Sequence, residues 1–206
     1  VAPRGFTRFL GTIGELTDKG IPIHFFTGNH DIWVWNYLPQ ETGMQVHKHP
    51  VQITHGSTKL YVAHGDGLGP YDRKYNLLKK IFTNPFIQWL FSRLHPNFAI
   101  GLARMWSGHS RKNNSMPEFL GADKEFLIRQ SQDVEAIRHH DFYIYGHRHL
   151  PGKYQLNKHS TYINTGDWTQ LFTYAVFNGT DFLLYSYYPT HTSLANTYLN
   201  ANARNT

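Results

Sequence analysis

The chain has no cysteine, which removes disulfide staples and every thiolate metal site, structural zinc centres included. Acidic residues are scarce: 14 Asp and Glu stand against 20 Lys and Arg, a formal charge of +6. A balance of that sign favours an anionic partner such as a phosphorylated metabolite, an anionic lipid surface or nucleic acid. Long hydrophobic runs are missing too. None approaches the roughly 20 apolar residues of a bilayer-spanning helix, and no charged-then-apolar opening reads as a signal peptide. What the 206 residues do contain is 40% hydrophobic and 16% aromatic side chains, enough for one packed domain with an insertion. They also contain 14 histidines. Without thiols, those imidazoles are the nitrogen donors open to a transition metal.

Apolar spacing predicts a helix over residues 3–19, with Pro3 in its first turn. Phe6, Phe9, Leu10, Ile13 and Leu16 share one face, and Gly20 supplies the stop. Residues 21–27 read as a buried strand, and further strands are predicted at 59–63, 141–145 and 161–165. A helix over about 122–140 precedes the third of these, with Phe126, Leu127, Val134 and Ile137 directed at a core. Strands at 171–177 and 182–188 are joined by Asn178-Gly179, a hairpin signal. Helices alternate with strands early and strands dominate late, which predicts a layered α/β domain built around two sheets. Residues 71–116 break the alternation with helical spacing, interruptions at Asn84-Pro85 and His95-Pro96, and many cations. They read as a helical insertion. The polar tail, 195–206, is expected to fray.

Several of the apolar runs end alike, with a ligand-type residue beside glycine: Gly28-Asn29-His30-Asp31, His64-Gly65-Asp66 and Gly146-His147-Arg148-His149. Glycine permits sharp turns and close backbone approach, and strand ends are where open α/β sheets place their sites. Asn29, His64, His147 and His149 are therefore expected to converge at one edge. Alternate residues such as His147 and His149 can face one point only if the chain bends locally. Of the others, His24, His47, His49, His55, His95, His139, His140, His159 and His191 follow no ligand pattern, and His109, inside the insertion beside Ser110, is set apart from them.

These three motifs, in this order, resemble the later motifs of the calcineurin-like metallophosphoesterases. The resemblance covers residues 3–190 and implies a layered β-sandwich flanked by helices, with two divalent ions: manganese first, iron or zinc as alternatives. It implies that Asn29, His64 and His147 hold one ion and His149 the other. His30 would stabilise the transferring phosphoryl group or protonate the leaving oxygen, and Asp31 would orient His30. The family's Asp-X-His and Gly-Asp-X-X-Asp motifs do not occur before Gly28. Two divalent ions held only by neutral His and Asn would keep their full charge in a partly desolvated site, which is costly. An upstream extension carrying both motifs is therefore expected.

The insertion, through Leu102 to Trp106 and Ser110 to Asn114, resembles the lid of the UDP-2,3-diacylglucosamine pyrophosphatase subfamily of lipid A biosynthesis. Many members of that subfamily carry Arg where His30 stands. The resemblance implies that Arg104, Ser110 and Asn114 contact the substrate, a nucleotide-sugar lipid cleaved to UMP and 2,3-diacylglucosamine 1-phosphate. It also implies a cytoplasmic enzyme attached peripherally to the inner membrane through the lid. Phe86, Trp89, Phe91 and Trp106 beside Lys79, Lys80 and Arg93 have the composition of an interfacial surface. No basic stripe with interleaved aromatics lies outside the lid, so no nucleic-acid partner is expected, and no protein partner is. Another phosphomonoesterase or phosphodiesterase on this fold is the alternative enzyme, and a non-catalytic scaffold is the alternative of another class.

Overall fold

The computed structural model describes residues 5–71, 73–95, 97–102, 105 and 118–188. The chain runs through helix α1 (Thr7–Asp18), strand β1 (His24–Phe26), helix α2 (Tyr37–Thr42) and strands β2 (Gln45–His47), β3 (Val51–His55) and β4 (Thr58–Val62). Helices α3 (Arg73–Phe82) and α4 (Pro85–Ser92) follow, then helix α5 (Phe126–Ile137) and strand β5 (Phe142–Tyr145). Strands β6 (Gly152–Asn157), β7 (Ser160–Asn164), β8 (Thr173–Phe177) and β9 (Phe182–Ser186) complete it.

The five-stranded sheet has the order β3-β4-β5-β7-β6. Its three inner strands are mutually parallel, and the outer two pair antiparallel. Side chains of the inner strands sort by the two-residue period of a pleat. Tyr61, Tyr143, Tyr145 and Tyr162 point to one face, where Leu127 and Ile128 of α5 cover them. Leu60, Phe142 and Ile163 point to the other, under Phe182, Ala175 and Leu184 of the β8–β9 hairpin. The result is a layered mixed α/β core: helix, five-stranded sheet, two-stranded sheet. Tyr143, Tyr145 and Tyr162 keep partners for their buried hydroxyls. Tyr143 donates to Glu135 at 2.6 Å, and Ser131 donates to the Tyr145 oxygen at 3.2 Å.

Several expectations change in detail. α1 has no buried residue: Phe6 and Phe9 lie exposed, and Leu10, Ile13 and Leu16 are only half-covered. The strand expected at 21–27 shortens to β1 and is half-buried rather than buried, since among the described residues it pairs only with β2. In α5, Leu127 and Ile128 are fully buried, whereas Ile137, expected in the core, is 88% exposed. Leu127, Ile128, Ser131 and Val134 form the sheet-facing stripe at helical spacing, and Ile137 falls outside it. The β8–β9 loop runs over four residues, Asn178 to Asp181, with Asn178 capping it by accepting from the Thr180 and Asp181 amides. The expected insertion is helical from its start: Asn84 caps α4 by accepting from the Phe86 and Ile87 amides, with Pro85 in the first turn. The tail at 195–206 lies outside the described residues.

Candidate metal centre

Parallel pairing of β4, β5 and β7 brings their C-terminal ends to one edge. Each end there carries a polar turn: His64-Gly65-Asp66, Gly146 to His149, and Asn164 to Asp167. β1 delivers its own end, Gly28-Asn29, to the same place. A Cβ on Gly28 would lie 2.5 Å from His64 Nε2, so only glycine lets the imidazole rest against that backbone. Gly65 plays the matching part on the other side, with φ +119° and a would-be Cβ 3.2 Å from the Cβ of His147.

The imidazoles of His64 and His147 meet edge to face, with ring centroids 5.4 Å apart. Burial lowers the pKa of both, and the neighbouring imidazole lowers that of His147 further, to about 4. Both are therefore neutral at pH 7, with ring nitrogens available as donors. His64 Nε2 is buried and has no hydrogen-bond partner. An orphaned nitrogen of this kind is one of the marks of an unmade ligand bond. Among the described residues, no three His, Asp or Glu side chains are gathered tightly enough to hold an ion. The two neutral imidazoles, with the half-buried Asn29 following Gly28, fit a partial donor set for a manganese-, iron- or zinc-type ion.

The bend expected between His147 and His149 is present. Both residues are left-handed, at φ 60° and 54°, and the Arg148 amide donates to the Gly146 carbonyl at 2.6 Å across His147. His149 stands apart from the His64–His147 pair in its exposure, and its Nδ1 lies 3.4 Å from Asp167 Oδ2. Asp167 is itself fixed by the Thr169, Gln170 and Leu171 amides. Burial raises the pKa of Asp167, but those amides outweigh it and the net shift is downward. The ionised carboxylate lies beside Nδ1 of His149 and puts negative charge next to that imidazole.

Asp31 does not stand alone. Its carboxylate accepts from the Gly28 amide and closes the turn that presents Asn29 and His30. Burial raises its pKa, against the Gly28 amide and His64. His30 is exposed at the tip of the same turn. Arg104, Ser110 and Asn114, expected at the substrate, lie outside the described residues, as does Trp106.

Four residues not singled out as site residues from the sequence prove to build the edge. Asn164, fully buried at the end of β7, donates to the Gly146 carbonyl at 2.6 Å and accepts from the Gly166 amide at 3.0 Å, tying two of the turns together. Tyr75 and Lys79 of α3 both reach Asp66 at 2.7 Å. Burial raises the Asp66 pKa, but the Lys79 and Tyr75 hydrogen bonds outweigh it, so the carboxylate stays ionised. Lys79 thereby spends its charge inside the protein. Glu125, before α5, pairs with Arg148. A polar residue ending a buried strand was the available signal for Asn164. Nothing local marked the other three.

No protein-family model matches the chain. Among curated proteins, the UDP-2,3-diacylglucosamine hydrolase of Porphyromonas gingivalis is 38% identical over 90% of this chain and 76% of its own length. Proteins of the same name from Histophilus somni and Edwardsiella ictaluri are 28% and 29% identical over 75% and 68% of this chain. The chain spans 65% and 54% of those two.

Proposed function

The chain belongs to the UDP-2,3-diacylglucosamine hydrolase family, which is a metallophosphoesterase family, and on that premise we propose that it hydrolyses the phosphoric anhydride of UDP-2,3-diacylglucosamine. The products are UMP and 2,3-diacylglucosamine 1-phosphate. The observation that carries the reading from the structure is the meeting of His64 and His147, neutral and with one nitrogen orphaned, at the C-terminal edge of three parallel strands.

In this reading Asn29, His64 and His147 hold one divalent ion and His149 the other, manganese first among the candidates. Divalent ions there supply Lewis acidity toward a phosphoryl oxygen. The chain's own residues do the rest. His30, at the tip of the turn closed by Asp31 on Gly28, faces the charge that develops on the transferring group. Asp167 places a carboxylate beside His149, and burial keeps His64 and His147 from taking up protons.

The helical residues that follow β4 act as the lid on a metallophosphoesterase core, with Arg104, Ser110 and Asn114 as substrate contacts. Support comes from how the aromatics divide. Phe91 packs inward on Trp33, with ring centroids 4.6 Å apart, and the Trp33 indole donates to the Phe82 carbonyl at 2.7 Å. Phe86, Trp89 and Leu90 stay exposed, and the Arg93 guanidinium lies 4.9 Å over the Trp89 ring. An apolar face with cations on it suits acyl chains and the cytoplasmic face of the inner membrane. No helix among the described residues is long and apolar enough to cross a membrane.

The test is product formation. The intact protein with Mn²⁺ should release UMP and 2,3-diacylglucosamine 1-phosphate in equal amounts, and the His147→Ala protein should release neither. UMP release that survives His147→Ala would remove this edge from the chemistry.

A further inference from the structure

The turn that carries His147 and His149 is strained twice. Left-handed backbone costs a residue with a side chain on the order of 1–3 kcal/mol, and here two such residues flank Arg148. The hydrogen bond from the Arg148 amide to the Gly146 carbonyl, spanning a residue of positive φ, is the strained form of the γ-turn. Such a conformation persists only where its surroundings over-determine it.

Arg148 provides that restraint from the far side. Its Nε donates to Glu125 Oε2 and its Nη2 to Glu125 Oε1, both at 2.9 Å, and Nη2 also donates to the Glu118 carbonyl at 3.2 Å. The Glu125 side chain is 4% exposed and that of Arg148 23% exposed. Glu125 occupies the capping position of α5, yet its carboxylate makes no cap hydrogen bond. It is committed to the guanidinium and to the Leu120 amide, at 3.2 Å. A planar fork of this kind fixes orientation as well as distance. With the Arg148 side chain pinned on one side of the chain, the side chains on either side of it are turned the other way. His147 is turned toward His64, and His149 toward Asp167.

We propose that the Arg148–Glu125 fork is a positioning device for the metal ligands: it holds the double left-handed turn that aims His147 and His149. The inference rests on the reading of these histidines as ligands. Arg148 and Glu125 touch neither substrate nor ion in it. They act through backbone geometry.

The experiment is a Mn²⁺ titration of the intact protein, with free ion counted by electron paramagnetic resonance and folding followed by thermal melting. In the double variant Arg148→Met/Glu125→Leu the fork is replaced by apolar residues, an exchange that often leaves stability unchanged or improved. Manganese affinity should fall at least tenfold while cooperative melting is retained. Arg148→Lys in the parent background keeps the charge without the fork, and should recover only part of the affinity. Parent-like affinity in a folded double variant would overturn the proposal. Should the double variant not fold, Arg148→Lys decides: weakened binding supports the fork, and parent-like binding overturns it. If the parent itself binds no Mn²⁺, the ligand reading falls and the inference with it. If the parent binds and the folded variants match it, only the positioning role is lost.

Discussion

The buried Nε2 of His64 makes no hydrogen bond, and leaving such a group unsatisfied costs about 1–3 kcal/mol. His140 Nε2, at the other end of the sheet, is orphaned too, so it is the place of His64 against His147 that gives its free nitrogen a ligand's meaning. The expected consequence separates stability from function at a single residue. In metal-free protein, His64→Leu should melt no lower than the parent, because an unpaired polar atom is exchanged for an apolar one of similar bulk. In the same variant Mn²⁺ binding should be sharply weakened. Calorimetric titration and thermal melting of the one variant check both halves. A large drop in melting temperature with unchanged metal affinity would make His64 a structural residue. His30 differs in kind. Its expected role is toward charge in the transition state, where one such interaction is worth about 2.7–4 kcal/mol, so His30→Ala should lose turnover a hundredfold or more with metal affinity intact. Equal losses of metal and turnover would place His30 among the ligands or the structural residues.

At the scale of elements, α5 is stapled to the sheet at the end opposite the candidate metal centre. Glu135 accepts from Tyr143 of β5 at 2.6 Å, from Ser160 of β7 at 2.8 Å and from the His140 amide at 3.0 Å, and His139 lies 2.8 Å away. Burial raises its pKa, but the hydrogen bonds from His139, Tyr143, the His140 amide and Ser160 outweigh it and bring the value down to about 2. A carboxylate with its folded value below the ordinary 4.5 contributes stability that is fully present above that value. The contribution is lost as pH falls through the folded value. Glu135→Gln should therefore be less stable than the parent by about 2 kcal/mol at pH 7, and the gap should close toward pH 2. Urea unfolding across that range reads it directly, and a gap independent of pH would rule out the ionised staple.

The same elements show what was legible in the chain. The inner strands β4, β5 and β7 and the hairpin β8–β9 were readable because apolar and aromatic runs ended at turn residues, and the ligand-type residues sat at those ends. The strands β3 and β6 were not. Both are edges of the five-stranded sheet, and each carries only two alternating apolar residues, Val51 and Ile53 or Tyr154 and Leu156, between polar ones, a shorter signal than the continuous apolar runs of the inner strands. Of the candidate site, the histidines and Asn29 could be read locally. Glu125 and Arg148 lie 23 residues apart, and Lys79 and Asp66 13 apart, so their pairing exists only once the fold brings them together.

For the molecule as a whole, the layers set where everything else can go. The parallel strand ends leave one edge for chemistry, α3 is anchored to that edge through Tyr75 and Lys79 on Asp66, and α4 carries exposed Phe86, Trp89 and Leu90 next to it. In the proposed function, this anchored, apolar and basic helix pair is what takes an acylated diphosphate out of a bilayer. Replacing Phe86 and Trp89 together by Ser should weaken co-sedimentation with anionic phospholipid vesicles several-fold without lowering the melting temperature, since neither side chain is buried. Unchanged vesicle binding would leave those residues without a lipid role. The most direct measurement is the ratio of kcat/KM for UDP-2,3-diacylglucosamine to that for UDP-N-acetylglucosamine, in the intact protein with Mn²⁺. Each buried methylene of the acyl chains contributes about 0.8 kcal/mol, so the account predicts a ratio of many hundredfold that falls in the Phe86→Ser/Trp89→Ser variant. A ratio near one in the parent would contradict it.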